Sequence, residues 1–140
     1  MAFRIQQPVR HPDVDRAGIV YFPRFFDFFH RALEDFFRDE VALPYHALDE
    51  ALRVAFPVVR IETDFEHPLA HGDLVTVELE TERVGEHSIT LHYRVFRPGS
   101  AEPAASSRIV VCAVEVPGWK KVPVPERVRR AFERHLAPSR

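Results

Sequence analysis

From Phe22 to about Asp39 the apolar positions recur with the period of a helix. Phe22, Phe25, Phe26, Phe29, Leu33, Phe36 and Phe37 fall at i, i+3, i+4, i+7, i+11, i+14 and i+15, which is one stripe, and Asp27, Arg31, Glu34, Asp35 and Arg38 fill positions between them. So aromatic a stripe needs a broad apolar cover, which a curved sheet provides. Phe28 falls off the stripe and is a candidate for a contact between subunits. Elsewhere the period is two. Phe3 to Arg10 reads as a short strand ended by His11-Pro12. Val54, Phe56 and Val58, then Val59, Ile61, Thr63 and Phe65, predict one long strand whose phase shifts near Pro57, as a bulge or bend produces. Leu74 to Arg83 and Ser88 to Arg97 alternate around a Gly85-Glu86 turn. Ala104 to Val116 contains Ile109, Val110 and Val111 in a row, which predicts a central strand covered on both faces. Val41 to Ala51 is mixed, with Pro44 breaking any helix, and Pro125 opens a short helix with Val128, Phe132 and Leu136 on one face. The order is strand, long helix, four strands and a terminal helix. It predicts a single α+β domain over residues 1–140 with an antiparallel sheet.

Composition narrows the classes of function. The chain has 46% hydrophobic and 29% charged residues, within the range of globular domains. A net charge of −2 lacks the basic excess expected of a nucleic-acid-binding protein. One cysteine, Cys112, excludes a disulfide within the chain, and its place between Val111 and Ala113 makes it a core residue. No apolar run approaches a membrane span and the start has no apolar signal core, so the expectation is a cytoplasmic protein with no membrane partner.

The segment Asp13-Val-Asp-Arg-Ala-Gly-Ile-Val-Tyr-Phe-Pro-Arg-Phe-Phe26 carries the chemistry. Acidic side chains and a glycine turn precede a helix whose first turn holds Pro23. Proline suits that position because its missing N–H has no partner there. The backbone amides around a helix start lack intrahelical acceptors and can hold a developing oxyanion. A carboxylate close to such amides points to acyl transfer. An aspartate of ordinary pKa, ~3.9, is ionised at neutral pH and serves either as general base toward water or as nucleophile. Gly18 either lets the backbone turn or lets a substrate approach closely.

Asp15-Arg-Ala-Gly-Ile-Val-Tyr-Phe-Pro-Arg-Phe-Phe26, Phe65-Glu-His-Pro-Leu-Ala-His-Gly-Asp73 and the order of elements resemble the hotdog-fold acyl-CoA thioesterases, specifically the 4-hydroxybenzoyl-CoA thioesterase family. The resemblance implies a curved antiparallel sheet wrapped around one central helix. It also implies subunits joined edge to edge as a dimer or tetramer, with active sites at that junction. It assigns the catalytic carboxylate to Asp15, the oxyanion amide to the N–H of Phe22 and the motif glycine to Gly18. The implied activity is hydrolysis of an acyl- or aroyl-CoA to free acid and CoA, with no cofactor because coenzyme A is part of the substrate. A hydratase or dehydratase on the same fold, or a non-catalytic acyl-CoA-binding subunit, are the alternatives.

Further candidates surround this motif. Tyr21 and Phe65 are candidate substrate contacts, as is His30. His30 stands where the 4-hydroxybenzoyl-specific enzymes carry an acid, and it can instead pair with Glu34 at i, i+4. His11 is a strand-end residue or an orienter of Asp15, and Asp13 a solvated turn residue or a support for it. His67 and His71, with Asp64 and Asp73, have no spacing that suggests a metal site. Candidates for the CoA phosphates are Arg83, Arg94, Arg97, Arg108, Lys120 and Lys121. The resemblance points to the hairpin after the second sheet strand and to the stretch after the last strand; Arg83-Val-Gly-Glu-His87 is poorer in positive charge than the family pattern, and Lys120-Lys121 matches it better.

Overall fold

A computed structural model describes residues 2–138. Its main sheet has five antiparallel strands in the order β1 (Phe3–Pro8), β4 (Leu74–Val84), β5 (Ser88–Phe96), β6 (Pro103–Cys112) and β3 (Val58–Phe65). β2 (Val54–Ala55) and β7 (Val114–Glu115) form a separate two-stranded ribbon. The main sheet covers helix α1 (Arg24–Phe36), and α3 (Glu126–Glu133) packs beside α1. This is the wrapped helix that the resemblance implied.

α1 forms because its aromatic stripe is buried. Phe25, Phe28, Phe29, Ala32, Leu33 and Phe36 are all under 5% exposed. Phe36 alone meets Phe3 edge-on at 5.3 Å and stacks on Phe132 of α3 at 4.4 Å, tying α1 to the first strand and the last helix. Phe28 is fully buried, so it is no subunit contact; the buried face is wide enough to include it, while Phe22 is 58% exposed. The helical region starts later than expected, with Pro23 just outside it in helical geometry. It then ends in a π-helical turn, Phe37–Val41, closed by Ala42 at φ 60°. The carbonyls left at that end are capped from a distance. Arg127 donates to the oxygens of Val41 and Ala42 at 2.9 and 2.8 Å, and Arg134 to that of Glu40 at 2.9 Å.

Other expectations need correction. Pro44 interrupts the helical path as expected, but new helical structure, a 3₁₀ turn (Tyr45–Ala47) and α2 (Leu48–Leu52), starts directly after it. The phase shift at Pro57 divides two strands, β2 and β3, and a further irregularity lies between Val58 and Arg60. The stretch from Ala104 to Val116 is likewise divided, into β6 and β7. β6 is next to the sheet edge and its Val110 is only half-buried. Leu136 lies beyond α3, bridges to Thr81 of β4 and is 43% exposed. Cys112 is buried, as expected.

β3 is the exposed edge of the sheet. Val58, Val59, Ile61 and Phe65 along it are 51, 62, 46 and 46% exposed. Arg60, Glu62, Thr63 and Asp64 share the strand with these apolar residues, and its outer backbone edge pairs with no other described strand of the chain.

Candidate active site

Residues 13–21 fold into a short hairpin just before α1. Asp15 N–H donates to Ile19 O at 2.9 Å, Gly18 N–H to Asp15 O at 3.0 Å and Tyr21 N–H to Asp13 O at 3.0 Å, while Val14 bridges Val20. Asp15 opens the tight turn and Gly18 closes it at φ 80°. A Cβ built on Gly18 meets nothing within 4 Å, so in this chain the glycine is required by backbone conformation and not by crowding. The hairpin is braced by the loop before β4, through Val20 N–H to Leu69 O at 2.8 Å and His71 N–H to Gly18 O at 3.1 Å.

Asp15 is exposed in the single chain, and one carboxylate oxygen, Oδ1, accepts the Ala17 N–H at 2.8 Å. That bond fixes the side chain over its own turn, and Oδ2 has no partner among the described residues. Asp13 is not solvated. It is 5% exposed, and its Oδ2 accepts the Arg10 N–H at 2.9 Å, so it supports the hairpin.

The amides entering α1 are nearly all used. Val20 and Tyr21 donate as above, Arg24 to Tyr21 O at 2.8 Å, Phe25 to Phe22 O at 3.2 Å and Phe26 to Pro23 O at 3.2 Å, and Pro23 has no N–H. Among the described residues, the Phe22 N–H is the one amide of residues 20–26 without an acceptor. Around it stands an aromatic wall. The Phe22 ring meets those of Tyr21 at 5.4 Å and Phe65 at 6.2 Å, and Phe65 also meets Phe25 and Phe26 at 5.1 and 6.4 Å. Tyr21, Phe22 and Phe65 are each about half exposed, so the wall is an open apolar surface at the helix mouth.

The structure thus gathers Asp15, Gly18, Phe22, Tyr21 and Phe65 in one region and places the other candidates elsewhere. His30 sits two turns along α1, 3.8 Å from Glu34 and edge-on to Tyr45 at 5.1 Å. His11 lies in the 3₁₀ turn after β1, its ring 5.9 Å from that of His71, and does not bond Asp15. His67 faces Glu102 at 3.6 Å. Arg94 and Arg108 are engaged in ion pairs with Glu78, Glu80 and Glu82. Arg83 is at the opposite end of β4 from Leu74, nine steps away or roughly 30 Å. At that same far end the Lys120 carbonyl accepts the Glu115 N–H at 2.8 Å and Lys121 bridges Val114 through the backbone. Among the described residues, no group of three His, Cys, Asp or Glu side chains could hold a metal ion.

Two features escaped the sequence. Tyr93 on β5 is fully buried against Phe29, at 5.1 Å, and burial followed by the nearby Tyr45 pushes its phenol pKa far above the usual range. Tyr45 is raised too, by burial and then by the Glu34 carboxylate. Neither lies near a motif, so nothing local in the chain marked them.

The chain belongs to the thioesterase-like superfamily, whose family model matches residues 9–132. It is similar to a 1,4-dihydroxy-2-naphthoyl-CoA hydrolase of Synechococcus elongatus, 25% identical over 138 residues, covering 91% of this chain and 92% of that one. A hydrolase of the same name from Prochlorococcus marinus is 32% identical over 101 residues, 68% of this chain and 65% of the relative. Among solved structures, a 1,4-dihydroxy-2-naphthoyl-CoA thioesterase from Synechocystis superposes with a TM-score of 0.86 at 27% identity, covering 94% and 96% of the two chains. No described helix is long and apolar enough to cross a membrane.

Proposed function

We propose that this chain hydrolyses the thioester of an acyl- or aroyl-CoA, with Asp15 activating the attack and the Phe22 N–H receiving the oxyanion. The observation that carries the reading is the pairing of two unsatisfied groups beside one apolar wall: the single spare amide at the mouth of α1 and the spare oxygen of the Asp15 carboxylate. As general base, Asp15 takes a proton from water as the water oxygen bonds the carbonyl carbon. The electron pair of C=O moves onto oxygen, where the Phe22 amide donates to it; an amide in such a role contributes a few kcal/mol. The C–S bond then breaks and the thiolate leaves with the proton held on Asp15. As nucleophile, Asp15 instead bonds the carbonyl carbon, the thiolate leaves, and water cleaves the resulting anhydride. Repeated turnover in ¹⁸O-water tests the nucleophilic route: water attacking the Asp15 carboxyl carbon of the anhydride leaves ¹⁸O in that carboxylate, whereas general-base catalysis leaves none there.

The relatives' names specify hydroxylated bicyclic aroyl groups. The half-exposed rings of Tyr21, Phe22 and Phe65 suit a flat acyl group. The substrate class we infer is therefore aroyl-CoA.

The exposed β3 edge supports a dimer. β3 runs antiparallel to β6, with Phe65 opposite Ala105 at the Asp15 end and Val58 opposite Val111 at the far end. Antiparallel pairing of two β3 edges lays the far end of one protomer beside the hairpin of the other. Lys120 of the partner subunit and Lys121 of the partner subunit then stand on the side from which CoA phosphates enter, which a single chain cannot arrange. A thiol-release screen over aroyl- and medium-chain acyl-CoA tests the function. Turnover fastest with aroyl thioesters is expected. Tight binding without turnover across the panel contradicts hydrolysis, and hydration of an enoyl-CoA favours the hydratase alternative.

A further inference from the structure

Beside the hairpin, where β1 runs along α1, Gln7, Arg10, Asp13, Arg24 and Arg31 line a cavity of about 420 Å³. Arg24 and Arg31 are seven residues apart, hence on one face of α1. Arg10 enters from the turn after β1. Their charge is little compensated. Arg24 pairs only with the exposed Asp27, at 3.0 Å, and Arg31 lies over the Phe28 ring at 5.7 Å. Among the described residues Arg10 and Arg31 have no carboxylate within ion-pair distance.

Two acceptors sit among these cations. Gln7 is 6% exposed. Its Nε2 donates to the Phe28 carbonyl at 2.8 Å, which fixes the amide, and its Oε1 is buried with no hydrogen-bond partner. That oxygen is sealed from solvent, so Gln7 braces the cavity wall and does not itself face a bound group. Asp13 is 5% exposed and spends Oδ2 on the Arg10 amide. Guanidinium groups recognise oxyanions by paired N–H donors. A carboxylate repels a fully deprotonated oxyanion and accepts a hydrogen bond from a protonated one.

We propose that this cavity, lined by none of the residues assigned to the thioester centre, binds a phosphate group carrying a proton or an adjacent hydroxyl. Phosphate, a monohydrogen dianion near neutral pH, supplies both the charge for the arginines and a donor for the Asp13 carboxylate. Sulfate supplies only the charge. The phosphate belongs either to the nucleotide end of coenzyme A or to a free phosphate or phosphate monoester.

The test is calorimetric titration of the full chain with inorganic phosphate and with sulfate at matched ionic strength, pH 7, for wild type and for the Arg10→Gln/Arg24→Gln double variant. Both arginines are exposed, so the variant should melt within a few degrees of wild type. Saturable phosphate binding with a Kd near or below ~1 mM, at least tenfold weaker sulfate binding, and loss of phosphate binding in the folded variant are expected. Equal binding of phosphate and sulfate reduces the cavity to a charged patch and overturns the proposal, as does absence of saturable binding. Adenosine 3′,5′-bisphosphate and a 3′-dephospho aroyl-CoA identify the source. Competition by the bisphosphate, together with a raised KM for the dephospho substrate in wild type only, supports the CoA phosphate. Phosphate binding that leaves both unchanged supports a separate ligand. Because binding is read directly, its outcome does not depend on whether the chain hydrolyses thioesters.

Discussion

Replacing Gly18 by alanine separates two reasons for a glycine at this turn. The residue stands at φ 80°, where an L side chain is strained, yet a Cβ there meets nothing within 4 Å. The cost is therefore the left-handed conformation alone, about 1–2 kcal/mol. With an unfolding entropy of about 2.1 cal/mol/K per residue, a 140-residue chain loses ~0.3 kcal/mol per kelvin near its midpoint. Gly18→Ala should thus lower Tm by roughly 3–7 °C. Gly18→Asn should recover part of that, because asparagine visits the left-handed region more readily. Scanning calorimetry reads the shift, and thiol release on the same samples reads the chemistry. With the hairpin refolded around the new residue, kcat/KM should fall less than tenfold in the asparagine variant. If both variants melt like wild type while kcat/KM drops a hundredfold or more, the glycine makes room for substrate, and the conformational argument is refuted.

Phe36→Ala removes a ring that joins α1, β1 and α3 at once and should cost about 3–5 kcal/mol, measured by urea unfolding. Tyr45 and Tyr93 are held neutral by burial, so their folded pKa values lie above the unfolded value of ~10. Their contribution is present below that pH and is lost above it, by up to about 1.4 kcal/mol per pH unit for each phenol. Urea midpoints between pH 8 and 11 should show that decline, and Tyr93→Phe should flatten it. Val59→Lys places a charge on the β3 edge at a residue 62% exposed. It should leave monomer stability within about 0.5 kcal/mol while shifting light-scattering mass toward the monomer and reducing turnover.

The long helix was legible because seven of the twelve phenylalanines fall between residues 22 and 39, most at helical spacing, and burial followed that stripe. Its end was not, because the π turn at Phe37–Val41 is capped by Arg127 and Arg134, more than eighty residues away in sequence. Strand alternation located β4 and β5 closely. Ile109-Val110-Val111 misled because a run of β-branched residues signals cover on both faces, and the strand next to the edge has that cover on one only in a single chain. Within the candidate site, the contiguous motif marked Asp15, Gly18 and Phe22. Phe65 depends on β3 folding back across the helix mouth, and the grouping of Gln7 with Arg10, Arg24 and Arg31 requires β1 to lie along α1; neither arrangement has a local signature.

On the proposed mechanism, cleavage of the C–S bond depends on the carboxylate at position 15. Asp15→Asn keeps an oxygen able to accept the Ala17 N–H, and so preserves the turn, while removing the charge. Steady-state thiol release from an aroyl-CoA by this variant, with its melting curve unchanged, is predicted to fall at least a hundredfold in kcat. Undiminished turnover by a folded Asp15→Asn protein would contradict the account.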